Sequence, residues 1–441
     1  MKKVITYGTF DLLHHGHVRL LERAKELGDY LVVGITSNDF DKKRGKINVQ
    51  QSLMERVKAV KDTGIADEII IEEYEGQKIE DICKFGIDIF TVGSDWEGQF
   101  DYLKEYCEVV YLPRTMGISS SEIRSSNKKI NIGLVGECRY LEKVLKECNL
   151  VNGVEVTTVL CEQNDSELMN NLKTAKNYEE LLNEVDAVYL ASNPSKHYDD
   201  IKKALLNKKH VLCESPVVLT KKEFLELDEL ANKNNCILME SIKTAYSTAY
   251  TRLLLLLKMG EIGKIVSVDS TCTSLKNMDY EFLNNRWNSI CSWGTTAMLP
   301  IFQILGTKYK DKKIISLCHN NNKDFDLFTK IDFMYNDAVA SLKVGKGVKS
   351  EGELVITGTN GYVYVPAPWW KMDYFEIRYE NPNDNKRYFY QLDGEGIRNE
   401  ILSFSRSILG NKNITNIDKN VTIEICKVIE DFYNIKEIIE Y

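Results

Sequence analysis

The chain has 441 residues, 43% of them hydrophobic and 28% charged, with a formal charge of −8. Length predicts roughly three domains and enough apolar mass for separate cores, which excludes a disordered or fibrous protein. The acidic balance weighs against a general nucleic-acid binder and leaves room for a local basic pocket.

Val4-Ile5-Thr6 is largely β-branched and reads as a strand. It leads into Tyr7-Gly8-Thr9-Phe10-Asp11-Leu12-Leu13-His14-His15-Gly16-His17, and then into residues 18–27, whose apolar positions recur at helical spacing. Strand, glycine-bearing turn, histidines and helix, in that order, build an anion site. The free N–H groups and positive dipole end of the helix face the loop. Imidazoles this close in a turn, with Gly16 between His15 and His17, can address one phosphate. The chemistry this points to is nucleotidyl transfer from a nucleoside triphosphate.

Residues 30–35 are an apolar run suited to a buried parallel strand. Residues 55–61 read as helix, 68–72 as a third strand, 79–85 as helix, 87–92 as a fourth strand and 109–112 as a fifth. This rhythm predicts an α/β, Rossmann-like open parallel sheet with its ligand at the carboxyl ends of the strands. Nucleotidyl transfer needs positioning and positive charge where negative charge develops. Arg44 and Lys46, in the segment Lys42-Lys43-Arg44-Gly45-Lys46, can hold the outer phosphates. Arg114 adds a fork-shaped cation. Thr115 and the hydroxyls of 119–121 stand at another helix start, 119–125.

Composition turns polar at 125–129, a linker. Strand–turn–helix order restarts with Ile132-Gly133-Leu134-Val135-Gly136 inside a strand at 130–136, a helix at 141–148, and strands at 154–160, 187–191 and 210–213. This is a second Rossmann-type sheet. From about residue 264 the strand-like runs 265–268, 314–317, 338–344, 353–357 and 375–379 follow without regular helices, which predicts a mostly antiparallel sheet and hence an α+β domain. Amphipathic helices at 398–409 and 420–434 close the chain.

Eleven cysteines lie scattered without a CxxC pair, the pattern of reduced thiols rather than a disulfide framework. The opening residues hold no apolar stretch of signal-peptide length, and the longest strongly apolar run, 253–257, is too short to span a bilayer. The expectation is a cytoplasmic protein with neither membrane nor nucleic-acid partner.

Residues 1–126 resemble the glycerol-3-phosphate cytidylyltransferases of the HxGH nucleotidyltransferase group. The resemblance rests on four blocks: Gly8-Thr9-Phe10-Asp11 with His14 and His17; Gly93-Ser94-Asp95-Trp96-Glu97-Gly98; Cys107-Glu108-Val109-Val110-Tyr111-Leu112-Pro113-Arg114-Thr115; and Gly117-Ile118-Ser119-Ser120-Ser121. It implies CTP as donor, Mg²⁺ arriving with it, and pyrophosphate release. It makes His14, His17, Lys46 and Arg114 the candidate catalytic residues. The candidate substrate-binding residues are Gly8, Thr9, Phe10, Asp11, Arg44, Asp67, Gly93, Asp95, Trp96, Thr115, Ile118 and Ser119. Two positions depart from the family, which tends to carry an arginine where this chain has Gly64 and a tryptophan near Tyr74 and Glu75. Both lie close to the acceptor in the family, so the acceptor expected here is a polyol phosphate or sugar phosphate rather than glycerol 3-phosphate specifically.

Residues 130–441 resemble the Gfo/Idh/MocA oxidoreductases. The matching stretches are Ile132-Gly133-Leu134-Val135-Gly136, Ala191-Ser192-Asn193-Pro194 with His197, His210 to Pro216, Gly260-Glu261-Ile262-Gly263, Gly358-Thr359-Asn360-Gly361-Tyr362 and Gly394-Glu395-Gly396. The resemblance implies a Rossmann domain at 130–245 and an open-sheet domain at 246–441, with NAD(P) held by Gly133, Gly136, Asn193 and Glu214. Its chemistry is depleted. Gly136-Glu137-Cys138 lacks the second glycine that lets backbone approach a pyrophosphate. Glu162 could hold a ribose hydroxyl, though a surface-loop role is the plainer reading. Glu214-Ser215-Pro216 stands where the family has Glu-Lys-Pro, and Ser292-Trp293-Gly294-Thr295-Thr296 replaces Asp-x-Gly-x-His. Lys243 and Tyr246 could substitute as an acid pair, but a structural role is favoured.

The expectation is therefore a cytidylyltransferase that forms a CDP-polyol or CDP-sugar for teichoic-acid-like or capsular polymers. Its second half is expected to be a degenerate oxidoreductase and the whole a homo-oligomer. The alternative is a bifunctional enzyme whose second half reduces the same sugar or polyol.

Overall fold

The computed structural model describes residues 1–13, 15–43, 49, 51–74, 76–113, 129–151, 153–161, 172–275, 287–319, 322–390, 392, 394–411 and 413–440, without the side chains of 15, 39, 42, 43, 95 and 440. The chain divides into two compact units, Met1–Lys128 and Lys129–Tyr441. Among the described residues no helix is long and apolar enough to cross a membrane.

The first unit runs β1 (Lys3–Gly8), α1 (His15–Glu26), β2 (Tyr30–Thr36), α2 (Asn38–Lys43), α3 (Leu53–Asp62), β3 (Glu68–Glu72), α4 (Gln77–Phe85), β4 (Ile89–Gly93) and β5 (Glu108–Leu112). The strands pair in parallel in the order β3-β2-β1-β4-β5. Helices on a parallel sheet bury its central strands on both faces, which is why they read as continuous apolar runs. Ile5, Val32, Ile70 and Phe90 form the middle of that core. Helix α3 starts cleanly because Ser52 and Glu55 form a reciprocal capping box. Ile87, expected in the fourth strand, instead closes α4 by donating its N–H to Ile82 O at 3.0 Å. The helix start expected at 119–125 lies outside the described residues.

The second unit begins with β6 (Ile130–Gly136), α5 (Cys138–Cys148), β7 (Val154–Leu160), β8 (Lys173–Thr174), α6 (Tyr178–Glu184), β9 (Ala187–Ala191), α7 (Pro194–Leu206), β10 (His210–Glu214), α8 (Lys221–Lys233) and β11 (Leu238–Ser241). This second parallel sheet has the order β11-β10-β9-β6-β7-β8. After α9 (Thr248–Lys258) come β12 (Ile265–Leu275), α10 (Thr295–Leu305), β13 (Asp311–His319), β14 (Asn322–Met334), β15 (Val339–Gly345), β16 (Gly347–Val348), β17 (Leu354–Gly358), β18 (Tyr362–Val365), β19 (Tyr374–Arg378), β20 (Lys386–Phe389), α11 (Ile397–Leu409), α12 (Lys419–Ile435) and β21 (Glu437–Glu440).

The ten described strands form one mixed sheet that is mostly antiparallel, as expected; β12 runs parallel to β15 and β13 parallel to β21. Strand β14 escapes a periodicity reading because Lys323, Asp324, Asp326, Lys330 and Asp332 interrupt its apolar pattern. One contiguous core joins the two sheets of this unit, running from Leu134 and Tyr189 through Tyr250 and Leu253 of α9 to Val268, Ile356 and Phe375.

The expectation of wholly reduced thiols is corrected at one place. Cys138, the first residue of α5, is bonded to Cys161, the residue after β7; the other nine cysteines are thiols. The pair is invisible as a spacing motif because 23 residues separate its members. Parallel pairing of β6 with β7 brings their carboxyl ends, and so the two cysteines, together.

Candidate active site

Strand β1 ends at Gly8 and its neighbour β4 ends at Gly93. The strand order reverses between them, which opens a crevice beyond their carboxyl ends. The Thr9–Leu12 loop crosses the mouth of this crevice. A Cβ on Gly8 would lie 2.9 Å from the Phe10 ring, so the ring folds back over a position that glycine leaves open. Phe10 and Leu12 stand at φ 52° and 49°. A non-glycine residue held there costs of order 1–3 kcal/mol and persists only where its surroundings impose it.

The surroundings do so with buried polar contacts. Thr9 Oγ1 donates to Asp41 Oδ1 at 2.9 Å. Gln51 N donates to Asp11 Oδ1 at 2.8 Å, and Leu12 N donates to Gln51 Oε1 at 2.6 Å. Arg56, from α3, is fully buried. Its Nη1 donates to Thr9 O and to Thr36 O, both at 2.7 Å, and its Nε to Gln51 O at 3.1 Å. Asn38 Oδ1 also accepts from it, and the Asp41 carboxylate lies 3.6 Å away. One guanidinium thus joins the loop after β1, the end of β2 and the approach to α3.

Gly8, Thr9, Phe10 and Asp11 are therefore brought together at the head of α1. His17, in the first turn of that helix, sets its ring against Phe10 with centroids 5.5 Å apart. Gly93 stands across the crevice. Trp96 follows it and packs on Phe100 at 5.9 Å between centroids. Asp67 is placed elsewhere, at the amino end of β3, where Leu31 N donates to it at 2.6 Å and Lys25 Nζ at 2.5 Å. That is the opposite end of the sheet from Thr9. His14, Arg44, Lys46, Arg114, Thr115, Ile118, Ser119 and the side chain of Asp95 lie outside the described residues.

Sequence reasoning missed two features. Arg56 is one; its only signal is a cation next to the capping box of a helix that covers buried strands. The second is a buried cluster beyond the carboxyl end of β3. Lys78 is ion-paired with Glu72 and lies 4.7 Å from the centre of the Tyr7 ring. Tyr7 OH donates to Asp81 Oδ2 at 2.8 Å. Burial, and then the Asp81 carboxylate, hold the Tyr7 phenol well above its ordinary pKa. The charge of Glu72 at the end of an otherwise apolar strand was the available clue.

In the second unit the structure places the four expected dinucleotide residues as follows. A Cβ on Gly133 would lie 2.6 Å from Leu181, and one on Gly136 (φ 144°) 2.4 Å from Ala191 O. Asn193 caps α7, accepting from Ser195 N at 3.0 Å. Glu214 accepts from Tyr140 and Tyr189 and, at 3.1 Å, from Ser241. Glu162 lies outside the described residues. Ser215 Oγ donates to buried Glu240 at 2.6 Å. Ser292 Oγ accepts from Lys346 Nζ at 2.8 Å. His197 bridges the carbonyls of Ser192 and Pro216, 2.8 Å from each. Lys243 donates to Glu395 at 2.6 Å, and Tyr246 meets Thr415 Oγ1 at 2.8 Å. Burial opposes ionisation of Glu395, but hydrogen bonds from Lys243 and Lys371 outweigh it and pull the carboxyl down to about 2.

The comparisons with known proteins divide along the same two units. Residues 5–126 match the family described as cytidylyltransferase-like. Residues 130–242 match the oxidoreductase family with an NAD-binding Rossmann fold. Over 124 residues the chain is 53% identical to the glycerol-3-phosphate cytidylyltransferase of Bacillus spizizenii, covering 28% of this chain and 95% of that one. It is 36% identical over 129 residues to an ethanolamine-phosphate cytidylyltransferase of Dictyostelium discoideum, covering 27% of this chain and 35% of that one. A 3-ketoreductase from Actinomadura kijaniata, solved with NADP and TDP-benzene, superposes with a TM-score of 0.64 at 16% identity, over 71% of this chain and all of that one. At that identity the likeness is one of fold. The chain belongs, through its first unit, to the cytidylyltransferase-like family, and it joins to that nucleotidyltransferase domain a Rossmann domain of the oxidoreductase family.

Proposed function

We propose that the first unit transfers CMP from CTP to a polyol phosphate or sugar phosphate. An oxygen of the acceptor phosphate attacks the α-phosphorus and pyrophosphate leaves, giving a CDP-polyol or CDP-sugar. The observation that carries this reading is the Thr9–Leu12 loop, held by Arg56 and Asp41 directly in front of the helix that bears His17. Backbone N–H groups at that helix start and the imidazole of His17 stabilise charge that builds on the α-phosphate, a role we also assign to His14. Lys46 and Arg114 complete the catalytic set. Gly8, Thr9, Phe10, Asp11, Arg44, Gly93, Asp95, Trp96, Thr115, Ile118 and Ser119 bind substrate, and Mg²⁺ arrives with CTP.

The placement of Asp67 at the far end of the sheet argues for a supporting role, bracing β2 against β3. Tyr74 follows the carboxyl end of β3, near where the family tends to carry a tryptophan, and this departure supports an acceptor other than glycerol 3-phosphate. The products feed surface polymers of the teichoic-acid or capsular kind, and the protein works in the cytoplasm as a homo-oligomer. We divide the chain at 126/130 and 245/246.

The second half, on this reading, has lost hydride transfer. Ser215, standing where relatives have a lysine, is turned to Glu240, and Ser292 and Thr296 carry no proton-shuttling group. The alternative, a reductase acting on the same metabolite, is favoured by the fusion itself, since two steps on one compound gain from being joined.

The test is pyrophosphate release from CTP and Mg²⁺ with the full chain, against a panel of polyol and sugar phosphates, each with and without NADPH or NADH. Release with one of them is expected. Binding of CTP without release across the whole panel would defeat the transferase reading, and oxidation of NAD(P)H would defeat the loss of hydride transfer.

A further inference from the structure

The fold of the second unit implies a nicotinamide dinucleotide, so the residues at its seat can be tested for fit. In a doubly wound sheet the pyrophosphate lies on the amino end of the first helix. The adenosine half passes toward the second strand, and the nicotinamide half toward the strands beyond the point where the order reverses. Here that helix is α5, the second strand is β7, and the reversal lies between β6 and β9.

None of the three parts is accommodated. Glu137 is the N-cap of α5, is exposed and makes no capping bond with its side chain. A carboxylate there answers the positive end of the helix and repels a diphosphate. The next residue, where backbone would have to approach the phosphates, is Cys138, bonded to Cys161 at the end of β7. That bond crosses the gap that an adenosine ribose would use. On the other side Tyr140, in the first turn of α5, reaches across to donate to Glu214 at the end of β10. The glycines of the loop do not compensate, because Leu181 and Ala191 O require them for packing.

The closed side is also internally bonded. Tyr189 OH and Ser241 Oγ reach Glu400 at 3.3 and 2.9 Å while also serving Glu214. Burial, and then the nearby Glu214 carboxylate, raise the Glu400 carboxyl far above the usual range, which favours its protonated form.

We propose that the second unit is closed to nicotinamide dinucleotides by its own side chains: Glu137 and Cys138 at the pyrophosphate seat, the Cys138–Cys161 bond across the ribose seat, and the Tyr140–Glu214 hydrogen bond on the nicotinamide side. This deepens the reading that hydride transfer is lost, since a module can lose its chemistry and still bind. Binding and turnover are therefore read separately.

The experiment is calorimetric titration of the full chain with NADH and with NADPH, in the presence and absence of a thiol reductant. No saturable binding into the millimolar range is expected in either condition, because reduction frees only one of the three obstacles. Saturable binding by the wild type overturns the inference even if no NAD(P)H is oxidised; oxidation would overturn the loss of chemistry as well. A reopened variant, Glu137→Gly with Cys138→Gly and Tyr140→Ile, is expected to bind at least about tenfold more tightly than the wild type. Cys138→Gly with Tyr140→Ile alone is the second variant, with a smaller gain because the acid remains. Circular dichroism and thermal unfolding establish that each is folded. If the folded variants bind no better than the wild type, these side chains are not what closes the seat and the proposal fails.

Discussion

Arg56 and Thr9 are 47 residues apart, yet the guanidinium of one, fully buried, donates to the backbone carbonyl of the other at 2.7 Å. The same nitrogen donates to Thr36 O at 2.7 Å. A planar fork with several donors can satisfy carbonyls on separate segments at once, which an ammonium cannot do with the same geometry. Arg56→Ala leaves those carbonyls and the Asp41 carboxylate buried without it. The expected cost is about 3–5 kcal/mol in the urea unfolding of the first unit. Arg56→Lys keeps the charge and is expected to cost less, while still lowering CTP turnover because the loop loses its geometry. Equal turnover by Arg56→Lys and the wild type would show that the fork does not position the loop.

His17 rests its ring on Phe10 and is only partly buried. His17→Ala is therefore expected to keep the fold and to lower pyrophosphate release by at least about a hundredfold, the order of loss seen when one group that stabilises transition-state charge is removed. Near-normal turnover of that variant would sink the proposed site.

Gly136→Ala tests whether the loop after β6 is shaped by packing. The added Cβ would lie 2.4 Å from Ala191 O at φ 144°, so β9 or the loop must move. A destabilisation of at least about 2 kcal/mol is expected, read as a lower urea midpoint of the second unit with the first unchanged.

Asp326 is wholly buried and its carboxyl is pushed up to about 6, by burial first, against the hydrogen bond from Thr329 and that from Ile290 N. A raised carboxyl binds its proton more tightly in the folded chain than in the unfolded one. Its contribution therefore favours folding at low pH, declines as pH rises from about 4 to about 6, and is level above that; the full span is about 3 kcal/mol. Asp326→Asn is expected to flatten this part of the stability–pH curve of the second unit, measured by urea unfolding between pH 4 and pH 7 (about the range of the transition).

Ser215→Lys restores the residue type that oxidoreductase relatives carry, yet hydride transfer is not expected to return. Ser215 faces Glu240, a buried acid whose carboxyl burial raises, so a lysine there gains an ion pair rather than a place beside a substrate hydroxyl. NADPH oxidation by this single variant, followed by absorbance, would contradict that account.

Much of this molecule is legible in order along the chain. Most strands of both parallel sheets are short apolar runs between polar turns, the pattern that burial on both faces leaves; β8, two exposed polar residues, carries no such signal. The head of the first site follows from Gly8-Thr9-Phe10-Asp11 and the helix behind it, because strand, turn and helix are consecutive. The tenth-strand pairing of the mixed sheet was not legible: β21 joins β13 across more than a hundred residues in parallel, a contact with no local signature.

The sequence by itself determined the two α/β units, their order, the loop that heads the first site and the residue types missing from the second. These rest on neighbours in the chain, whose geometry is set by a few dihedral angles. Only the tertiary structure decided that Arg56 holds Thr9, that Lys78 pairs with Glu72 beneath Tyr7, that Asp67 sits at the amino end of β3, and that Cys138 meets Cys161 while Tyr140 meets Glu214. Those relations join residues from separate elements. They depend on which strand lies beside which and on how deeply each charge is buried, and no local pattern carries either quantity.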